Sequence, residues 1–340
     1  MNIRDFDYEL PQGLIAQTPL EQRDLARLMI VDRAAGLIEH KRFRDLPAYL
    51  HPRDVIVVND TRVNEASFTC HKDATGATID VLLTARMSPT RFMALVRPLK
   101  RLHVGGTCTV TSDVSLRLLE RNDDGDATIE FSRDPYSSDE FRAKARVQIP
   151  PYIKQFPDDP GAYQTVYARE PGSVAAPTAG LHFTPELLAR IRDLGIDIQH
   201  VTLDVGPGTF QPVRVERVED HHMHTERFIL PEETAKAVNA ARTNHATVTA
   251  IGTTVARTLE SCIDPDGTVK ADSGETGIFI YPPYTFRSFD RLVTNFHLPK
   301  STLLMLVGAF MGMDLLWTAY REAIRERYRF FSFGDAMLIL

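Results

Sequence analysis

The chain has 340 residues, of which 43% are hydrophobic, 25% are charged and three are cysteines, and its formal net charge is −6 at pH 7. This composition predicts a soluble two-domain protein, and its charge argues against a large nucleic-acid footprint without excluding a local basic patch. No Cys-x-x-Cys pair, signal peptide or apolar run long enough for a bilayer is visible, so we expect reduced thiols in a cytoplasmic protein with no membrane contact.

The first sixty residues alternate short elements. The apolar run Asp54–Val58 predicts a buried strand, and the polar residues Asn59 to Arg62 follow at its carboxyl end, where a site can lie. Glycine-rich and asparagine-rich turns then separate short strands, which predict a small β-barrel or sandwich. These strands are predicted at 78–83, 91–96, 107–111, 115–119 and 127–131.

From about residue 150, helical and strand patterns alternate, which indicates an α/β domain. Thr184 is a good N-cap for a helix that begins with Pro185 and ends at Gly195. Later helices are predicted at 231–241, 255–262, 301–313 and 315–327, with strands at 196–205, 247–251 and 276–281. The prediction is therefore a discontinuous α/β domain, residues 1–61 plus 151–340, with a small β-barrel domain inserted at 62–150.

The segment Gly172–Phe183 is rich in small residues and precedes a helix, so its backbone can approach an anionic ligand closely. His182 lies just before that helix, and a tight loop with a structural histidine explains the pattern about as well. Thr294–Thr302 is a second loop before a helix, where Lys300 and free helix N–H groups suit a carboxylate or phosphate, although simple capping by Ser301 is an equal alternative.

The run His221–Glu226 contains three imidazoles and a carboxylate. Its spacing matches no known zinc motif. On a strand His222, His224 and Glu226 would share one side, so acid–base chemistry or substrate binding is favoured over a metal. Ile251–Thr254 is a strand-to-helix turn, but no Gly-x-Gly-x-x-Gly or P-loop lysine is present. Basic residues cluster at Arg97–His103 and Arg321–Arg329, where phosphate binding and a solvated surface are both possible.

Taken together, these segments resemble one family, the S-adenosylmethionine:tRNA ribosyltransferase-isomerases. The matches run in order over nearly the whole chain, at 5–11, 14–17, 59–63, 97–101, 150–153, 163–168, 172–183, 208–213, 222–226, 294–307 and 328–339.

The resemblance implies transfer and isomerisation of the ribosyl group of S-adenosylmethionine onto 7-aminomethyl-7-deazaguanine in the tRNA anticodon loop. Epoxyqueuosine forms, and adenine and methionine are released. It also implies an α/β domain with an inserted β-barrel and no metal or other cofactor, S-adenosylmethionine being the donor substrate. We expect a monomer or a weak homo-oligomer.

The chemistry needs a base for the proton next to the sulfonium and an acid for the departing adenine. We expect His182, His224, His297, Asp60 and Glu226 to move these protons, in no fixed order. The expected substrate-binding residues are Arg62, Arg97, Lys100, Arg101, Thr178, Gly180, Gly208, Thr209, Thr253, Thr254, Asn295, Lys300 and Asp335.

The chain departs from the family pattern at several positions. Ser67, within Asn64-Glu65-Ala66-Ser67, replaces a usual arginine, and Asp204 replaces a usual histidine, which exchanges a hydrogen-bond donor for an acceptor. Asp80, Val255 and Pro283 also differ from the usual residues. The alternatives are therefore a relative that ribosylates a free deazapurine or other small acceptor, a non-catalytic RNA- or ligand-binding descendant, and a metal-dependent hydrolase.

Overall fold

The computed structural model describes residues 1–121, 126–154, 159–206, 208, 213 and 215–340. The chain forms two compact units. The first contains Met1–Arg62, Pro150–Glu170 and Ala176–Leu340, and the second contains Val63–Ile149 and Pro171–Ala175. The short segment Pro171–Ala175, which the sequence placed in the α/β domain, thus belongs to the second unit.

The first unit is built on a nine-stranded sheet. Strands are numbered in chain order, and β4 to β12 lie outside this sheet. The sheet contains β1 (Arg27–Asp32), β2 (Leu37–Arg42), β3 (Val55–Asn59), β13 (Asp197–Leu203), β14 (Glu226–Leu230), β15 (Val248–Ile251), β16 (Asp272–Thr276), β17 (Arg291–Asn295) and β18 (Ala336–Ile339). Their order across the sheet is β16-β14-β13-β3-β15-β17-β18-β1-β2. The strands β13, β3, β15 and β17 are mutually parallel, whereas β14 and β18 run antiparallel to their neighbours β13 and β17.

Helices pack against this sheet. Those of the first unit are α2 (Pro185–Asp193), α3 (Glu232–Thr243), α4 (Thr253–Ser261), α5 (Thr302–Met311) and α6 (Met313–Arg325), and α1 belongs to the second unit. The Thr184 hydroxyl accepts the Leu187 N–H, so the predicted cap of α2 is present. The apolar face of α2 packs with alternate residues of β3, including Ile56 and Val58, in one hydrophobic core.

The second unit is a closed barrel. Its strands are β5 (Glu65–Lys72), β6 (Thr78–Arg86), β7 (Arg91–Arg97), β8 (Thr107–Thr109), β9 (Ser115–Arg121), β10 (Asp126–Phe131) and β11 (Arg146–Val147). The order β5-β6-β7-β10-β9-β8 returns to β5, which closes six strands, and β11 adds to β5. Alternate residues such as Phe68 and Phe92 fill the interior with Phe141 of α1 (Asp139–Lys144). The predicted fold class, α/β with an inserted small β-barrel, is confirmed.

Some predicted elements differ from the structure. The strand predicted at 276–281 lies earlier, at Asp272–Thr276, because pairing with β14 rather than apolar content selects this mostly exposed segment. Strand β14 begins only at Glu226, so His222 and His224 precede it and do not share a strand face with Glu226. Two further strands, β4 (Thr61–Val63) and β12 (Glu170–Ser173), lie at the unit boundaries.

Among the described residues no single helix is long and apolar enough to cross a membrane. The consecutive helices α5 and α6 reach that length and composition only when counted together, and they are bent by 115° at their break.

Candidate functional site

The predicted site residues of the first unit collect at one edge of the sheet. Asp60, Asp204, Thr253 and His297 each follow the carboxyl end of one of the four parallel strands. The antiparallel strands β14 and β18 begin at this same edge, which adds Glu226 and Asp335. Ligands of open α/β sheets bind outside the carboxyl ends of the strands, where the strand order reverses. This edge is therefore the candidate active site.

Asp60 lies at the centre of the edge and is 1% exposed. Thr202 Oγ1 donates a hydrogen bond of 2.7 Å to one carboxylate oxygen, and Arg169 Nε donates to the other. Asn59 fixes the neighbouring strand ends, because its amide bonds Leu203 through both its nitrogen and its oxygen. Asp60 is thus a fully engaged, oriented carboxylate.

Asp204, the residue that departs from the family pattern, lies beside Asp60 at the end of β13. Thr61 Oγ1 donates to Asp204 Oδ1 at 2.8 Å, and Arg227 Nη1 donates to Oδ2 at 3.0 Å. Burial raises the pKa of Asp204, and these two partners oppose the shift. The acidic residue is accommodated because Arg227 supplies a counter-charge.

Glu226 and Arg257 form a buried ion pair at the start of β14. Each side chain is 5% exposed, and Arg257 Nη1 donates to Glu226 Oε2. The Gly206 N–H donates to Glu226 Oε1 at 2.9 Å. Both carboxylate oxygens are therefore engaged, as in Asp60.

His224 lies at the same end of the edge but is exposed. A Cβ added to Gly208 would stand 2.3 Å from His224 Cδ2, so only glycine allows the imidazole to lie against this backbone. Thr209, predicted as a binding residue, lies outside the described residues.

At the other end of the edge, the loop Thr178–His182 lies over β17. Thr178 Oγ1 donates to Asn295 Oδ1 at 3.0 Å. The Asn295 amide nitrogen lies 3.4 Å from His182 Nε2 and 3.2 Å from the carbonyl oxygen of Phe331. The structure thus brings three predicted residues, Thr178, His182 and Asn295, into one hydrogen-bonded group.

The His182 imidazole is buried against Phe43, with ring centroids 4.9 Å apart. Burial lowers the pKa of His182 to about 4, and the Arg329 charge adds to the shift while a hydrogen bond to the Arg23 backbone opposes it. A cavity of about 20 Å³, bordered by His182, Arg23 and Ser332, adjoins the ring. A cavity of this size has room for about one water molecule. His182 is therefore a neutral imidazole next to a small cavity whose lining is mostly apolar, with Arg23 and Ser332 as its other polar side chains.

His297 is held more tightly still. Its ring nitrogen Nε2 lies 2.8 Å from Thr294 Oγ1. Its backbone N–H donates to the Tyr320 hydroxyl, and its backbone carbonyl oxygen accepts from the Tyr8 hydroxyl. Burial lowers the pKa of His297 to about 3. His297 is thus also neutral at physiological pH.

Asp335 acts on the backbone around this group. Its two carboxylate oxygens accept the N–H groups of Arg27 and Arg329, both at 2.8 Å. Burial raises the pKa of Asp335. The residue predicted to bind substrate therefore joins the start of β1 to the loop before β18.

Close packing explains one glycine of the loop. A Cβ on Gly180 would lie 2.0 Å from the Tyr167 hydroxyl oxygen and 2.9 Å from Thr165 Cγ2. Both neighbours are side chains that hold the loop against the sheet. Gly180 is thus a packing requirement beside His182.

The remaining predicted residues differ in their surroundings. Thr253 and Thr254 form the first turn of α4, at the end of β15, and Thr254 Oγ1 is buried with no hydrogen-bond partner. Lys300 pairs with Asp7 at 2.7 Å.

Arg62 is exposed in the first unit. In the second unit Arg97, Lys100 and Arg101 are exposed around a turn, as a surface for polyanions requires.

The three predicted catalytic histidines form two groups. His182 and His297 lie at the end of β17, whereas His224 precedes β14. Four strand spacings separate these strands, which is about 19 Å. No group of three histidine, cysteine or acidic side chains within the described ranges could hold a metal ion. The histidines of the run His221–His224 therefore do not form a metal site there.

Sequence reasoning missed Arg257, Arg169 and Thr202. Arg257 lies inside a helix, where arginine is an ordinary surface residue, and its partner Glu226 is 31 residues away. The one signal was that Arg257 follows the small residues Gly252 to Thr254 by one helical turn, on the same side as Thr253 and Thr254.

The sequence and the structure are similar to those of known tRNA ribosyltransferases. A family described as "Queuosine biosynthesis protein" matches residues 3–339. The S-adenosylmethionine:tRNA ribosyltransferase-isomerases of Moorella thermoacetica and Symbiobacterium thermophilum are each 50% identical to this chain, and that of Geobacter metallireducens is 48% identical, with both chains covered fully in each case. The crystal structure of an S-adenosylmethionine tRNA ribosyltransferase from Thermotoga maritima has 37% identity and a TM-score of 0.57, and it covers 99% of this chain and 100% of its own.

Proposed function

The chain belongs to the S-adenosylmethionine:tRNA ribosyltransferase-isomerase family of queuosine biosynthesis, and from that membership we propose the reaction performed at its strand edge. The protein is an enzyme, a transferase and isomerase, and its substrates are S-adenosylmethionine and tRNA. In the proposed reaction the ribosyl group moves onto a 7-aminomethyl-7-deazaguanine base in the anticodon loop. The product base is epoxyqueuosine, and adenine and methionine leave.

The reaction makes three demands on the site. The sulfonium acidifies the neighbouring C5′–H bond, so a base must take that proton. Adenine must leave with the electron pair of its glycosidic bond, and it leaves more readily when an acid protonates or hydrogen-bonds the ring. The aminomethyl group must attack as a neutral amine, and it loses a proton once its new bond to carbon has formed.

The neutral imidazole of His182 beside its cavity is the observation that carries the assignment. Because burial holds the pKa of His182 near 4 and that of His297 near 3, both resting rings are neutral at physiological pH and present no positive charge to the sulfonium. The ring that takes the C5′ proton becomes an imidazolium cation, and it must pass that proton on before the next turnover. We assign proton transfer at this end of the edge to His182, which is oriented by Asn295, with His297 beside it.

The engaged carboxylates supply charge at the other end. Asp60 and Glu226 each have both oxygens hydrogen-bonded, which makes them less available as bases for the C5′ proton. The exposed His224 is placed to serve the acceptor amine or the departing adenine. The reaction in this assignment uses no metal or other cofactor, so turnover should persist after treatment with a chelator.

Single replacements test these roles. We expect His182→Ala and His297→Ala to reduce epoxyqueuosine formation by about 10²- to 10⁴-fold, which is the usual contribution of acid–base catalysis, and His224→Ala to reduce it measurably. The readout is mass spectrometry of tRNA carrying the aminomethyl base after incubation with S-adenosylmethionine. His71→Ala, which replaces an exposed imidazole of the second unit outside the Arg97–His103 cluster, is the matched control. Full turnover in the three site variants would refute the assignment.

The acceptor is tested by salt. Exposed Arg97, Lys100 and Arg101 support tRNA, whereas the net charge of −6 and Asp204 favour the alternative of a small acceptor. Binding of tRNA should weaken steeply with ionic strength, since each neutralised phosphate releases counterions. Replacing Lys100 by alanine should reduce the slope of log K against log [salt] by about one. A salt-independent KM for the acceptor would favour the small molecule.

A further inference from the structure

Arg257 is a buried cation that the assignment above does not use. It lies on the second turn of α4 and is 4% exposed. Its Nη1 donates to Glu226 and its Nε donates to the Ile278 carbonyl oxygen at 3.3 Å. Its second amino group, Nη2, is shielded from solvent and has no hydrogen-bond partner. Two of its three nitrogens are thus fixed, which leaves the third in a defined position without an acceptor.

An unpartnered guanidinium N–H inside a protein is costly. Leaving a buried donor unsatisfied costs about 1–3 kcal/mol, and more for a charged group, so native proteins rarely keep one without a reason. A second unpartnered atom lies close in the helix, since Thr254 Oγ1 is also buried without a partner. Thr254 and Arg257 are three residues apart and therefore share a face of α4.

Both side chains belong to the N-terminal half of α4. Side chains on a helix lean towards its N-terminus, so Arg257 extends towards the first turn, where Thr253 and Thr254 follow the end of β15. The first N–H groups of a helix have no partner within it and favour negative charge. Thr254 is half-buried, so this turn borders the surface of the candidate active site.

The charges define the ligand class. The charges of Glu226 and Arg257 cancel in their ion pair, so a ligand is held here by hydrogen bonds from Arg257 Nη2 and by the partial positive charge at the first turn of α4. A carboxylate accepts a charge-assisted hydrogen bond from Nη2, and a zwitterionic amino-acid group tolerates the neighbouring Glu226 better than a phosphate does. Lys300, the other cation considered for this role, is already paired with Asp7.

We propose that Arg257 Nη2, together with Thr254 and the first turn of α4, binds the α-carboxylate of the methionyl part of S-adenosylmethionine. This inference rests on the proposed function, since it takes S-adenosylmethionine as the donor. Arg257 is then a substrate-binding residue that selects donors with an intact amino-acid group, and it touches none of the bonds that change.

Decarboxylated S-adenosylmethionine, which lacks only the α-carboxylate, separates this role from a structural one. The affinities of the full-length enzyme for S-adenosylmethionine and for the decarboxylated compound are measured by isothermal titration calorimetry. We expect the wild-type enzyme to prefer S-adenosylmethionine by about 10- to 100-fold, as for a hydrogen bond between charged groups. Arg257→Gln should lose this preference while binding the decarboxylated compound as the wild type does.

Two further variants keep the test decisive. Thr254→Val removes only the hydroxyl and should weaken S-adenosylmethionine binding by about three- to tenfold, without changing affinity for the decarboxylated compound; it serves in place of Arg257→Gln if that variant does not fold. Arg242→Gln is the matched control, because Arg242 is a half-buried arginine of α3 that bonds the Gly267 carbonyl oxygen at the opposite edge of the sheet.

The outcomes are distinct. An equal loss for both ligands in Arg257→Gln and in Thr254→Val, or no loss for either, overturns the inference, since Arg257 would then act only through Glu226 or not at all. A wild-type enzyme that binds S-adenosylmethionine with the stated preference but forms no epoxyqueuosine contradicts the proposed reaction while leaving the carboxylate site standing.

Discussion

The two ends of the strand edge handle polar groups in opposite ways. At the end formed by β14, β13 and β3, three carboxylates are each matched by an arginine: Asp60 by Arg169, Asp204 by Arg227 and Glu226 by Arg257. At the end formed by β17 and β18, burial lowers the pKa of both His182 and His297, and the Arg329 charge lowers that of His182 further.

This difference teaches how one sheet edge can serve both a cation and proton transfer. Paired carboxylates keep their charge in a buried place because each partner offsets the cost of desolvation. An unpaired imidazole in a similar place loses its proton instead. The charged end, at β14, β13 and β3, therefore holds its carboxylates in ion pairs, and the neutral end, at β17 and β18, offers uncharged imidazoles for proton exchange.

The largest expected effect comes from breaking the charged end. Arg257→Leu should lower the free energy of unfolding by about 3–5 kcal/mol, because it leaves the buried Glu226 carboxylate without its partner. Urea denaturation followed by circular dichroism measures this change. The matched variant Arg169→Leu should cost less, since Arg169 is 57% exposed and water can replace it at Asp60. Equal costs for the two variants would contradict the comparison.

The neutral end is tested by pH. The pKa of each buried histidine is lower in the folded state, about 4 for His182 and about 3 for His297, than the ordinary value of about 6.5. The unfolded chain therefore binds more protons below that value, and stability is full above about pH 6.5 and is lost as the pH falls towards 4 and 3. At pH 5.5 each histidine should contribute a loss of about 1.4 kcal/mol.

Unfolding free energies at pH 7.5 and 5.5 measure this loss. His297→Gln should reduce the pH-dependent change by about 1.4 kcal/mol, its own share. His182, His200 and His221, whose pKa values burial also lowers, still contribute in this variant. The control His103→Gln replaces an exposed imidazole and should leave the change as it is in the wild type. A pH dependence that survives in His297→Gln undiminished would place the titrating groups elsewhere.

The loop of the neutral end gives a smaller effect. Gly180→Ala places a methyl group against the Tyr167 hydroxyl and Thr165 Cγ2, and overpacking of this kind costs about 1–3 kcal/mol. Because the clash displaces the loop that carries His182, turnover should fall as well. The double variant Gly180→Ala/Tyr167→Phe removes the hydroxyl and should recover part of both losses. Additive losses in this double-mutant cycle would show that the two positions are independent.

The sequence predicted some parts of the strand edge and missed others. Asn59 and Asp60 were found because they follow a fully buried apolar strand, and α2 was found because Thr184 and Pro185 mark its start. Strand β17 was missed because only five residues precede a loop whose polar character dominated the pattern. Strand β16 was displaced because its residues are mostly exposed, and pairing with β14 selects it.

Side-chain partnerships were the least predictable part. Arg257 meets Glu226 only after β14 and α4 have packed together, and Arg169 meets Asp60 across 109 residues. The low pKa of His297 likewise depends on burial in the assembled fold, and Tyr8 and Tyr320, which bond its backbone, lie at distant positions in the chain. Local patterns carry strand and helix boundaries, whereas charge compensation is a property of the assembled edge.

The smallest effect sharpens the choice between two cations at that edge. Lys300 and Asp7 form a partly exposed pair, and such pairs contribute about 0–1 kcal/mol, so Asp7→Asn should barely change the free energy of unfolding. It also frees the Lys300 ammonium. If Arg257 holds the substrate carboxylate, calorimetric affinity for S-adenosylmethionine should stay within about twofold of the wild type, because a contribution below 0.5 kcal/mol is typical away from a binding group. Tighter binding in Asp7→Asn would instead mean that Asp7 competes with the substrate for Lys300, and the carboxylate site would have to move from α4 to the start of α5.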